Sequence, residues 1–181
     1  NIYLINYETG QVVYATDKKS DYGENLKTGS LKTSGLAEVY NKVMENQRVT
    51  FVDIRPYSAN NNLPTMFVGA PVLEDGDLTA ILVFQLSVKE INKVMQFREG
   101  YGQTQEAYLV GSDFLMRSNS YLSPKTHSMK ASFAKPKQNN VKTEAVQEAF
   151  AGKSETKLTI NYKGDEVLSA FSQIKVGKDL K

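Results

Sequence analysis

The sequence predicts an α+β chain of two tandem modules, each an antiparallel sheet flanked by helices. Two observations carry this. One pattern (apolar run, polar turn, second strand-like run) appears in "IYLINYETGQVVYATD" from Ile2 to Asp17. It returns in "YLVGSDFLMRSNS" from Tyr108 to Ser120, about 105 positions later. Both copies then continue in the same order: a long polar stretch, a capped helix, and strand-like runs joined by tight glycine turns. Short turns of that kind join antiparallel strands, whereas parallel strands need long crossovers.

In the first copy, strands 2–7 and 11–16 turn at Glu8-Thr9-Gly10, and a polar stretch runs from 17 to 34. Ser34 stands where a helix cap is needed, ahead of Leu36, Val39, Tyr40, Val43 and Met44 at helical spacing. Three strand-like runs follow at 48–58, 64–74 and 78–87, the last two joined by Asp75-Gly76-Asp77. Between the copies, Val88, Ile91, Val94 and Met95 mark a helix that Gly100 and Gly102 end. It serves either as a mechanical link or as a mere connector. In the second copy, strands at 107–111 and 114–118 turn near Ser112-Asp113, and a polar loop fills 119–142. Thr143 caps a helix carrying Val146, Ala149 and Phe150, and strands at 155–162 and 166–175 turn at Lys163-Gly164-Asp165. The expected division is a first module over 1–90, a connecting helix and linker over 91–106, and a second module over 107–181. The second has no counterpart of run 78–87 and is expected to lack its last strand.

Composition narrows the function classes. The chain is 40% hydrophobic and 23% charged with net charge +2, ordinary for a globular protein. The lysines are scattered and form no basic stripe, so nucleic acid is not an expected partner. With no cysteine, disulfides, thiol nucleophiles and Cys-ligated zinc are excluded. No run is long and apolar enough to cross a membrane, and no signal peptide is present. The chain lacks an initiating Met and starts on a strand, which predicts a piece of something longer.

Catalytic constellations are missing from the pattern. His127 is the single histidine, set in the polar loop without a Gly-x-Ser-x-Gly elbow, and is expected at the surface. Asp75 and Asp77 suit a hairpin better than a calcium loop, and Gly100-Tyr101-Gly102 is too short to cradle phosphate. No metal or cofactor is expected, and no enzymatic activity.

A binding surface is the remaining candidate. Strand alternation in "VTFVDIRPYS" puts Phe51, Asp53, Arg55 and Tyr57 on one face and Thr50, Val52 and Ile54 on the other. Arg55 offers a planar fork for a carboxylate, and Tyr57 a ring with a hydroxyl. The competing reading is an Asp53–Arg55 surface pair. Gln85 interrupts an apolar strand and needs a partner, either a neighbouring backbone group or a ligand. Arg117 is expected to fix a loop by hydrogen bonds. The candidate ligand-binding residues are therefore Asp53, Arg55, Tyr57 and Gln85.

A five-stranded antiparallel sheet with a long loop between its second and third strands is a PAS-like arrangement, in which loop and helix enclose a pocket on one sheet face. Specific words go further. "EAYLVGSDFLMRSNS" resembles the pattern G-E-T-Y-L-V-G-x-D-x-L-M-R-S of extracytoplasmic double Cache (tandem PAS-like) sensor domains of bacterial transmembrane receptors. "FVDIRPYS", "FVGAPVLEDGDLTAILVFQLSVKEINKVM" and "EAVQEAFAGKSETKLTINYKGDEVLSAFSQI" are similar to its other segments, so the resemblance covers about 1–176.

The resemblance implies the periplasmic portion of an inner-membrane receptor of the methyl-accepting chemotaxis, histidine kinase or nucleotide cyclase type. Such a receptor is anchored by helices outside this sequence, is homodimeric, and senses a small molecule in its membrane-distal module. Amino-acid-binding members carry an Arg-x-Trp-Tyr motif and a pocket Asp on the last distal strand. This chain has no Trp, and Gln85 stands near that Asp. The implied ligand is a carboxylate or neutral metabolite read by Arg55. The alternative is an ectodomain that docks a periplasmic binding protein, its own pocket closed by Tyr22, Phe51 and Tyr57.

Overall fold

Alternating apolar residues draw out the first strands. Tyr3 and Ile5 on β1 (Ile2–Asn6) are fully buried, and β1 pairs antiparallel with β2 (Val12–Ala15) across a turn where Gly10 takes φ +74°. A computed structural model describes residues 1–100 and 102–175, divided into two units between Val88 and Lys89.

In the first unit, helix α1 (Gly35–Asn46) begins where Ser34 Oγ accepts the Ala37 N–H at 3.2 Å, the cap expected from sequence. Its buried stripe is Leu36, Ala37, Val39, Tyr40 and Val43. Strands β3 (Thr50–Tyr57), β4 (Leu63–Glu74) and β5 (Asp77–Leu86) follow. Asp75 and Gly76 both have positive φ, at 53° and 94°, as a two-residue hairpin loop requires. The sheet has five antiparallel strands in the order β2-β1-β5-β4-β3. The first strand thus lies beside the last, Tyr3 opposite Val83 and Ile5 opposite Ile81.

Helix α1 covers one face of this sheet and builds the core with Tyr3, Ile5, Val52, Tyr57, Phe67, Ile81 and Val83. Its approach is set by Gly69 on β4, where a Cβ would lie 2.8 Å from Val39 Cγ2 and 3.0 Å from Val43 Cγ2. Only glycine lets the helix lie that low on the strand.

One expectation about β3 fails. Its pairing with β4 slips between Val52 and Arg55, an irregularity that shifts the alternation by one residue. Val52 and Tyr57 both enter the core with α1, and Arg55 turns toward that helix, whereas Phe51 and Asp53 stay outside the core cluster. Phe51, Asp53, Arg55 and Tyr57 therefore do not share a face.

Helix α2 (Val88–Met95) begins where its periodicity predicts, at the division of the units, but ends at Met95, ahead of the expected stop at Gly100 and Gly102. The hairpin at 109–117 is real but shorter than two full strands. A bridge joins Val110 to Met116, and Arg117 N–H donates to Leu109 O at 2.7 Å. Arg117 fixes this turn as expected, donating to Leu115 O and Asp113 Oδ2, each at 3.0 Å, beneath the Phe133 ring.

The stretch 119–142, expected as loop throughout, contains α3 (Met129–Ala134), capped by Ser128. Six residues cut off by Pro136 give too little periodicity to reveal it. Thr143 caps α4 (Glu144–Phe150) as expected, and β6 (Glu155–Ile160) pairs with β7 (Glu166–Phe171) in a two-stranded sheet. The expected end of the second module, 176–181, lies outside the described residues. Among the described residues no helix is long and apolar enough to cross a membrane, and no cluster of possible metal ligands occurs.

Candidate functional site

The covered face of the first unit is not wholly apolar. On β5, Ile81, Val83 and Gln85 point the same way, so the strand that supplies two core residues also brings in an amide. Phe67 on β4 lies opposite Gln85, and Tyr3 stands next to it on β1. The re-phased β3 delivers Tyr57, whose ring meets Phe67 edge-on at 5.0 Å between centroids.

Over these residues comes Asp21, from the segment between β2 and α1. That segment is tied to β2 by Gly23 N–H on Val12 O at 3.0 Å and Val12 N–H on Glu24 O at 2.9 Å. It holds Asp21 at 0% exposure.

Asp21 Oδ2 accepts two phenol hydrogen bonds, from Tyr3 at 2.7 Å and Tyr57 at 2.9 Å. Tyr3 Oη also lies 2.9 Å from the Gln85 amide. A phenol has one proton, so Tyr3 cannot donate to both groups. The consistent assignment has Tyr3 donating to Asp21 while the Gln85 amide nitrogen donates to Tyr3. Burial, then the Asp21 carboxylate, pushes the Tyr3 hydroxyl well above the usual phenol range. Burial, then the neighbouring Tyr3 and Asp21, does the same to Tyr57. Both hydroxyls therefore stay protonated donors. Asp21 Oδ1 and Asn1 Nδ2 are buried with no hydrogen-bond partner.

Two of the four sequence candidates, Tyr57 and Gln85, are brought together here through Tyr3 and Asp21. Arg55 is elsewhere: its guanidinium pairs with Glu38 in the first turn of α1, and Glu38 also holds Lys42 at 3.0 Å. Asp53 Oδ1 accepts its neighbour Ile54 N–H at 2.7 Å. Sequence reasoning missed Asp21 and Tyr3. Tyr3 was legible as an inward position of an alternating strand. Asp21 sits in a polar run where nothing marks one carboxylate above another.

The second unit holds a different cluster. Glu106 Oε2 accepts Ser120 Oγ at 2.7 Å, Tyr121 N–H at 2.9 Å and Leu122 N–H at 3.1 Å, and its Oε1 accepts the Tyr162 hydroxyl. His127 is not at the surface as expected. It is 8% exposed, stacked on Tyr162 at 4.1 Å between centroids, with Nδ1 2.9 Å from Thr126 Oγ1. Desolvation lowers its pKa, the nearby Glu106 opposing. Glu106 gathers four donors from Ser120, Tyr121, Leu122 and Tyr162, which marks it as a structural clamp.

No family model matches the chain, and no curated protein matches it. Solved structures do. The chain is similar over 99% of its length to 64% of the ligand-binding domain of the Pseudomonas fluorescens chemoreceptor CtaA in complex with L-isoleucine, with TM-score 0.60 and 16% identity. It is similar over 99% to 69% of the ligand-binding domain of the Pseudomonas aeruginosa amino acid chemoreceptor PctC in complex with GABA, with TM-score 0.59 and 13% identity. It is similar over 82% to 56% of the extracellular domain of the proposed histidine kinase mmHK1S-Z2, with TM-score 0.53 and 14% identity. The chain thus has the fold of receptor ligand-binding domains, and spans less than two thirds of the CtaA domain.

Proposed function

We propose that this chain is the extracytoplasmic sensor portion of a bacterial transmembrane receptor, of the chemotaxis or histidine kinase type, and that its first unit binds a small molecule. The observation that carries the reading is a buried polar cluster on the covered face of a β2-β1-β5-β4-β3 sheet, with one carboxylate oxygen, Asp21 Oδ1, left without a protein partner. Buried polar groups are otherwise almost always satisfied, so such an atom asks for a guest. The fold likeness to chemoreceptor and histidine kinase domains supports the receptor class. The residues proposed to face the guest are Tyr57 and Gln85 with Tyr3 and Asp21; Arg55, paired with Glu38, and Asp53, outside the core cluster, are not among them.

A thermal-unfolding screen of the chain against a metabolite library tests the reading, with hydrogen exchange locating each stabiliser. A hit is expected to protect β1, β5 and the Asp21 segment. If no compound stabilises the chain, direct sensing is wrong. The alternative, a pocket closed by Tyr22, Phe51 and Tyr57 in a protein-docking module, has less support: Tyr22 is 45% exposed and Phe51 half-buried, leaving only Tyr57 inside.

A further inference from the structure

Between Asp113 and Glu144 the sequence holds no Asp or Glu, yet it holds Arg117 and five lysines: Lys125, Lys130, Lys135, Lys137 and Lys142. Arg117 is engaged by Asp113. The five lysines are all exposed, and none pairs with a carboxylate among the described residues. Elsewhere in the second unit Lys93, Lys153, Lys157 and Lys163 each have one.

The segment that carries these lysines is folded, and its inner side is built into the unit. Met129, Ser132 and Val141 are buried. Ser132 Oγ donates to Asn139 O at 3.0 Å, and Val141 N–H to Phe114 O at 2.8 Å. Asn140 Nδ2 donates to Pro136 O at 3.1 Å and Lys137 O at 3.0 Å, closing the turn after α3. With these groups turned inward, the lysines are held on the outside, and Lys135 and Lys137 line a depression of about 310 Å³. Like charges fixed on one segment without neutralising partners sum to a local positive field, on a chain whose net charge is only +2. Such a field fits an anionic partner.

We infer that segment 125–142 of the second unit is a docking surface for an anionic lipid bilayer, its lysines meeting the phosphate headgroups. This rests on the receptor reading above, which sets the chain beside a membrane. A bilayer suits the segment better than nucleic acid does. The two rings among the lysines, His127 and Phe133, already lie against Tyr162 and Arg117 and offer no free platform for bases. Each lysine that reaches an anionic lipid surface tightens binding about fivefold.

The test is sedimentation of the chain with vesicles of phosphatidylcholine alone and of phosphatidylcholine mixed with phosphatidylglycerol, at low and high salt. Binding to the mixed vesicles is expected to be at least tenfold tighter and to weaken with salt. Lys135→Gln/Lys137→Gln/Lys142→Gln is expected to weaken it at least tenfold. Lys18→Gln/Lys19→Gln/Lys32→Gln removes the same charge from exposed positions of the first unit and is expected to leave it within twofold. Hydrogen exchange of the unmodified chain on the mixed vesicles is expected to show protection at 125–142, so the assignment does not depend on a variant folding. No binding, equal binding to both vesicles, or protection elsewhere overturns it. So does an equal loss in both triple variants, which would mark a net-charge effect, and tighter binding to duplex DNA than to the mixed vesicles. Each of these leaves the receptor reading standing, because the metabolite screen tests that reading separately.

Discussion

Tyr3→Phe and Tyr57→Phe, singly and together, probe the polar cluster most directly. Each change deletes one oxygen and leaves the ring packing of the core in place. What is lost is a hydrogen bond to a buried charged acceptor, worth about 1.5–3 kcal/mol. Tyr3→Phe is expected at the upper end, because it strips a donor from Asp21 and also leaves Gln85 without its 2.9 Å partner. In the double variant Asp21 Oδ2 loses both phenols, and its Oδ1 has no partner to begin with. The pair is therefore expected to cost more than the sum, by about 0.5–3 kcal/mol, because one remaining phenol still solvates the carboxylate and none does not. Urea unfolding of all four chains by far-ultraviolet circular dichroism gives the cycle; the chain has no tryptophan to report instead. Hydrogen exchange at β1 and β5 amides assigns the loss to the first unit. Single losses below about 0.5 kcal/mol, or strict additivity, would refute the idea that these phenols hold a buried charge.

Gly69→Ala drives a methyl into Val39 and Val43 on α1 and is expected to destabilise by about 1–3 kcal/mol, read from the urea midpoint. Glu106→Gln removes the charge that collects four donors, and should cost about 1.5–3 kcal/mol and speed exchange at the Tyr121 and Leu122 amides. His127 has a lowered pKa in the fold, so the unfolded chain takes up its proton first as pH falls. Its contribution to stability is complete above the ordinary value of 6.5 and is lost as pH drops below that. Unfolding curves between pH 7.5 and 5 should show this slope, and His127→Gln should flatten it.

Much of the fold was legible because local and tertiary signals agree. Ser34 and Thr143 cap helices where they were expected, and Asp75-Gly76 turns where a glycine pair-turn must. The duplicated hairpin word at Tyr108 yields only a bridge, its turn held by the Arg117 side chain together with backbone bonds at Gly111, Phe114 and Arg117. The candidate site was half legible. Tyr57 and Gln85 carry chemistry that their strands make conspicuous. His127 was misread because a polar neighbourhood in sequence says nothing of a ring arriving from 35 positions away, as Tyr162 does.

The misplacement of Arg55 has a consequence for signalling. Alternation over β3 pairs it with Phe51 and Asp53. A one-residue slip in the ladder moves it toward α1, where Glu38 takes its charge. The sign of the buried site is thereby decided by Asp21, on a segment tied to β2, and not by a residue inside the sheet. A guest can shift a conformational equilibrium only by its differential affinity for the two states; moving it from 1:99 to 99:1 takes about 10⁴-fold. The exchange of the Tyr3 and Tyr57 phenols for a donor of the guest at Asp21 is where such a differential would arise. A guest whose stabilising effect is as large in Tyr3→Phe/Tyr57→Phe as in the unmodified chain would show that binding draws nothing from that exchange.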